Sequence, residues 1–140
     1  MNDVVLNKKT SIERCVKQIR VYYARSEEIP FEEDYLSQDA IAMNLQWICE
    51  LAIDIANHWV KVARLGLPKS SADAFALLAR EGLIDQSLSR DLQGMVGFRN
   101  VLVHAYTELD LDLIVRVIEE HLQDPVDFAS IALKATEERS

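Results

Sequence analysis

The sequence predicts an all-α fold, an up-and-down bundle of about five to six helices forming a single domain over residues 1–140. Three observations carry that expectation. The chain holds only four glycines and three prolines in 140 residues, too few for a turn-rich β fold. Hydrophobic residues make up 49% of it, enough for a continuous core without disulfide or metal staples. Its apolar residues recur at helical spacing in nearly every segment.

From Val5 to about Glu28 the apolar positions are Val5, Ile12, Val16, Ile19 and Tyr23, one face of a first helix. After Pro30 a second run, from about Tyr35 to Leu65, places Ile41, Leu45, Ile48, Ala52, Ile55, Trp59 and Val62 on one stripe, with Gly66 and Pro68 as its stop. Ser70 and Asp73 form a capping pair for a short third helix closed by Gly82. Asp85 or Ser87 opens a fourth helix, and Asp110 caps a fifth. Asp124 followed by Pro125 reads as an N-cap and first-turn proline for the last. Cys15 and Cys49 lie among apolar residues without CxxC spacing and read as buried thiols.

The formal net charge of −8 opposes long-range attraction to a phosphate backbone, which argues against DNA binding and an extended nucleic-acid groove and leaves any RNA contact to a local site or to a basic patch made by oligomerisation. No segment approaches the roughly 18 apolar residues of a membrane span, and the first residues lack the apolar run of a secretion signal, so a cytoplasmic location is expected. No His, Cys and carboxylate group has metal-ligand spacing, so neither metal nor cofactor is expected. A nucleotide-binding protein is disfavoured because there is no glycine-rich phosphate loop.

The chemistry concentrates in Gly94-Met-Val-Gly-Phe-Arg-Asn-Val-Leu-Val-His-Ala-Tyr106. Arg99 lies about 20° from Leu88 on a helical wheel, on the stripe expected to face the core. An arginine there needs a carboxylate or a pocket, because its guanidinium does not deprotonate. Glu50, Asp54, Asn57 and Lys61 form a polar stripe on the second helix. The expected arrangement sets Asp54, with Glu50 or Asn57, against Arg99, with Gly94 and Gly97 allowing the two helices to close up. His104 and Tyr106 follow near the end of the fourth helix, where the dipole favours a protonated histidine. His58 and His121 read as surface or packing residues, and Trp47 and Trp59 as core. The same side chains also fit a purely structural role, as ion-pair partner, cap and packed aromatic.

The pattern Arg99-Asn100-x3-His104-x-Tyr106 resembles the Arg-x4-His-x-Tyr signature of HepT-type toxins within the HEPN family. The likeness extends to Ser-Ile-Glu-Arg-Cys-Val in the first helix and Asn-Leu-Gln-Trp-Ile-Cys-Glu-Leu-Ala-Ile-Asp-Ile-Ala-Asn-His in the second. That resemblance implies a HEPN bundle that dimerises to bring two Arg and His pairs together. It implies RNA cleavage without metal, by Arg99 and His104 as catalytic residues. It also implies a toxin–antitoxin pair in which an MntA-like nucleotidyltransferase antitoxin places AMP on Tyr106. Asn100 is expected to support the site by binding phosphate or orienting His104. A non-catalytic HEPN module that docks a nucleotidyltransferase or another protein is the alternative.

Overall fold

The computed structural model describes residues 3–103 and 109–137. Its six α-helices are α1 (Asp3–Ala24), α2 (Tyr35–Val62), α3 (Ser71–Arg80), α4 (Gln86–Val103), α5 (Leu111–Glu120) and α6 (Gln123–Glu137), with two short 3₁₀ turns between α1 and α2. No strand occurs among the described residues. None of these helices is long and apolar enough to cross a membrane.

α2 is the axis of the bundle, packing against α1, α3, α4 and α6. Its sequence permits this because Ile41, Leu45, Ile48, Ala52, Ile53, Ile55, Ala56, Trp59 and Val60 cover most of its circumference, and all are buried. Trp59 meets Phe128 of α6 at a ring separation of 6.0 Å, and Phe128 meets Phe75 of α3 edge-on at 5.2 Å. This aromatic group joins three helices at one end of the core. Cys15 and Cys49 are buried free thiols.

The caps follow the local chemistry of the chain. Asp34 accepts from the Ser37 amide at the start of α2, Ser70 from Asp73 at α3, Asp85 from Leu88 at α4, and Asp110 from Leu113 at α5. Two boundaries differ from the sequence expectation. α6 begins at Gln123, ahead of Asp124, and the Asp124 carboxylate instead meets His121 Nδ1 at 3.0 Å. α2 stops at Val62, before Gly66.

That stop has an identifiable mechanism. Leu65 N–H donates to the Val60 carbonyl at 3.1 Å and Arg64 N–H to Lys61 at 3.2 Å, the paired bonds of a Schellman motif. α3 ends the same way, with Leu83 donating to Leu78 and Gly82 to Ala79, both at 3.0 Å. The left-handed position is occupied by Gly82 (φ 73°) after α3 but by Arg64 (φ 56°) after α2. A side chain with a Cβ is strained there, which glycine relieves in the folded state and partly gives back through its freedom in the unfolded chain. Arg64→Gly should therefore stabilise the fold by about 0.5–1 kcal/mol, read as a midpoint raised by about 2–3 °C in thermal melts. An unchanged or lower midpoint would contradict this account of the helix end.

Candidate functional site

Arg99 sits on α4, four residues before the last described residue of that helix. Its Nη1 donates to Glu50 Oε1 on α2 at 2.7 Å, and its Nε to Asn100 Oδ1 at 3.1 Å. The guanidinium is thus fixed by a charged bond across the helix pair and a neutral one along its own helix. The Arg99 side chain retains 20% of its exposure and Glu50 45%, so this is a rim pair and not a core ion pair. Beneath it, Cys49 packs with its thiol 3.6 Å from the Met95 carbonyl. Burial pushes that thiol up to about 12, against the lowering influence of Arg99. Cys49 is therefore an inert spacer between α2 and α4 and not a nucleophile.

The other expected partners are elsewhere. Asp54 does not reach Arg99: one turn further along α2, it pairs with Lys8 of α1 at 3.3 Å. Asn57, exposed, lines a cleft at the far end of α2. Gly94 and Gly97 do not ease the contact between α2 and α4 either. Both are exposed, and a Cβ added at either would meet nothing within 4 Å. His104 and Tyr106 lie outside the described residues.

Trp47, expected in the core, is 45% exposed. It shares one α2 stripe with Met43, also exposed, and Glu50, since steps of four and three residues return to the same side. On α4, exposed Gly97 and Val101 are likewise one turn apart. The ion pair is thus flanked by apolar surface on α2, whereas Gly97 and Val101, each two residues from Arg99 and so about 160° around the helix, lie on the opposite face of α4.

A second constellation escaped the sequence because its members are far apart in the chain. Donor atoms of Asp91, His121 and Asp124 lie within 4.8 Å of one another, a grouping that could hold a metal ion. Arg90 and Arg116 line the same cleft and oppose a dication there. Along α4, Asp91 stands about 12 Å from Arg99.

The model of the ribonuclease HepT-like family matches residues 12–131. The chain is 46% identical to an mRNA nuclease HepT of Shewanella oneidensis over 131 residues, 94% of this chain and 97% of that protein. It is 32% identical to a tRNA nuclease HepT of Aphanizomenon flos-aquae over 65% of each. A solved structure of the tri-AMPylated Shewanella oneidensis HEPN toxin in complex with MNT antitoxin superposes with a TM-score of 0.87 at 46% identity, covering 96% of this chain and 99% of that one. A toxin–antitoxin crystal structure with AMP-PNP gives a TM-score of 0.86 at 45% identity, over 94% and 99%.

The exposure of the ion pair sets its energetic weight. Glu50 left without its partner returns to water, so Arg99→Ala should cost about 1 kcal/mol or less in urea unfolding, well below the penalty for a stranded buried charge. A loss of several kcal/mol would mean that Glu50 is far less hydrated than its exposure indicates.

Proposed function

The chain belongs to the ribonuclease HepT-like family, and we propose that it is the toxin of a HEPN/MNT toxin–antitoxin pair, an endoribonuclease that cleaves RNA without a metal ion. The observation that carries this reading is Arg99. Glu50 and Asn100 hold its guanidinium at the surface of the bundle, five residues before His104 in the chain. Arg99 Nη2 has no protein partner among the described residues, and its N–H groups suit a phosphate oxygen.

RNA supplies its own nucleophile. A base removes the proton of the 2′-hydroxyl, the oxygen attacks the adjacent phosphorus, and an acid protonates the departing 5′-oxygen, leaving a 2′,3′-cyclic phosphate. His104 is the proton-transfer group in this reading, and Arg99 binds the extra negative charge on the pentavalent phosphorus. Asn100 keeps the guanidinium oriented, while Glu50 anchors Arg99 to α2.

The motif supplies one histidine per copy, His104, for two proton transfers on opposite sides of the phosphorus, so a homodimer suits the reaction. The exposed Met43 and Trp47 of α2 provide apolar surface beside the pair, which a second copy would cover while bringing two Arg99 and His104 sets together. The expected protein sediments as a dimer and cuts RNA in excess chelator. His104→Ala abolishes cleavage, Arg99→Lys lowers it nearly as far as Arg99→Ala because a lysine lacks the planar fork, and Trp47→Glu lowers dimerisation and cleavage together. Cleavage that persists in His104→Ala, or that needs added metal, would defeat this assignment. Equal, negligible cleavage in wild type and His104→Ala would favour the binding-module alternative.

The antitoxin in this reading is an MntA-like nucleotidyltransferase acting with the toxin in the cytoplasm. It joins the Tyr106 hydroxyl oxygen to the α-phosphorus of ATP and releases pyrophosphate. Each AMP sets a bulky nucleotide and a negative phosphodiester seven residues from Arg99, where RNA phosphate should bind, and so competes with substrate. Co-expression with the nucleotidyltransferase should raise the intact mass by one or more AMP units and silence the nuclease. The mass shift should disappear in Tyr106→Phe. A shift surviving that substitution would move the modification elsewhere.

A further inference from the structure

The longest stretch of the chain without an acidic residue runs from 55 to 72, between Asp54 and Asp73, and contains Lys61, Arg64, Lys69 and His58. The structure turns this stretch into a cleft of about 800 Å³ at the junction of α2 and α3, lined by Asn57, Lys61, Arg64 and Lys69 with Leu67 at its edge. None of the three cations has a carboxylate partner among the described residues. Leu67 is 92% exposed. The amino terminus of α3 adds little positive potential, because the Asp73 carboxylate already accepts from the Lys69 amide at 2.8 Å. The positive character comes from the side chains.

The cleft is aligned with the Arg99 site. Lys61 lies eleven residues beyond Glu50, which on one helix means about 16 Å along the axis and only about 20° around it. Between them, the charge of Asp54 is met by Lys8, and Asn57 is neutral. A strand leaving Arg99 along this stripe therefore meets no uncompensated carboxylate on α2 before three free cations. By contrast, the smaller cleft between α4 and α5 sets Asp91 beside Arg90 and Arg116.

We propose that Lys61, Arg64 and Lys69 form a backbone-binding subsite for the RNA strand, gripping phosphates a few nucleotides away from the bond cleaved at Arg99. This rests on the nuclease reading above. The spacing corresponds to roughly three to five nucleotides, at 3.4 Å of rise per stacked nucleotide and more when extended. Exposed Leu67 offers an apolar surface to a base at the cleft edge. The subsite gives a protein of net charge −8 a local hold on a polyanion that its overall field repels. It also accounts for an arginine at the left-handed helix end: Arg64 occupies a position where glycine would be less strained, and its side chain lines the cleft.

The test is RNA binding by fluorescence anisotropy in a His104→Ala background, comparing a labelled 12-nucleotide single strand with a dinucleotide. Lys61→Gln, Arg64→Gly and Lys69→Gln combined should weaken binding of the 12-mer ten-fold or more. They should also lower the slope of log affinity against log salt by about two, since each phosphate contact in a single strand contributes about 0.7. Dinucleotide binding should not change, and with His104 intact the combined variant should cut a dinucleotide as wild type does. Arg64→Gly alone should weaken the 12-mer while raising the melting midpoint, an outcome that misfolding cannot produce. Unchanged 12-mer affinity and salt slope overturn the subsite and leave the nuclease reading intact. So does a variant that keeps its RNA affinity but no longer binds the nucleotidyltransferase, which would make the cleft a protein dock. If the parent neither binds nor cuts RNA of any length, the nuclease reading fails first and the subsite with it.

Discussion

A helix surrounded by four others can keep only a narrow strip of its surface polar, and that constraint on α2 organises the molecule. Over 28 residues α2 presents buried apolar side chains to α1, α3, α4 and α6. Only one stripe is left for Glu50, Asp54, Asn57 and Lys61. Each residue of that stripe then takes its role from whichever neighbour lies at its height along the helix. Glu50 meets α4 and holds Arg99, Asp54 meets α1 and holds Lys8, and Lys61 lies beyond both and faces the cleft. The site is thus a by-product of burial elsewhere, because Glu50, the member of that stripe at the height of Arg99, could not go inside and became its anchor.

The same constraint explains what the sequence made legible. All six helices could be read from apolar periodicity, and four N-caps lie where Asp or Ser precedes a periodic run. The end of α2 lies earlier than the sequence suggests, because glycine is the expected left-handed residue and Gly66 stands two positions past Arg64. A Schellman motif is defined by backbone bonds, and nothing in the residue type announces an arginine there. Arg99 was recognisable as a residue in need of a partner, but its partner was not. Glu50 and Asp54 differ by one turn, and only the relative height of α1 and α4 along α2 decides which carboxylate meets which cation. The indole of Trp47 suits a core position, yet it is 45% exposed. Its exposure depends on which side of α2 is left uncovered, a property of the packed bundle and not of the helix.

Gly94 and Gly97 invite a similar revision. Glycine in the interior of a helix costs about 1 kcal/mol relative to alanine, and close packing within the chain would be the usual compensation. Here a Cβ would meet nothing at either position, so the bundle itself gains nothing from their small size. Their bare backbone faces outward on the helix that carries Arg99, next to Val101. This is surface suited to close approach from outside the chain, on the face of α4 turned away from Arg99 and separate from the exposed Met43 and Trp47 beside Glu50.

The weak hold on Arg99 suits an anionic ligand. A guanidinium locked into a buried ion pair would be too costly to release, and one free in solvent would lose rotamer entropy on meeting a phosphate. Arg99 lies between these limits, oriented by Glu50 and Asn100 but only partly desolvated. An incoming phosphate can add at Nη2, which has no partner among the described residues, without breaking the pair. It can also displace Glu50, whose carboxylate is close enough to water to be rehydrated at an expense on the order of 1 kcal/mol. The carboxylate therefore shapes the cation for an anionic ligand without outcompeting one, a balance that a deeper Glu50 would forfeit.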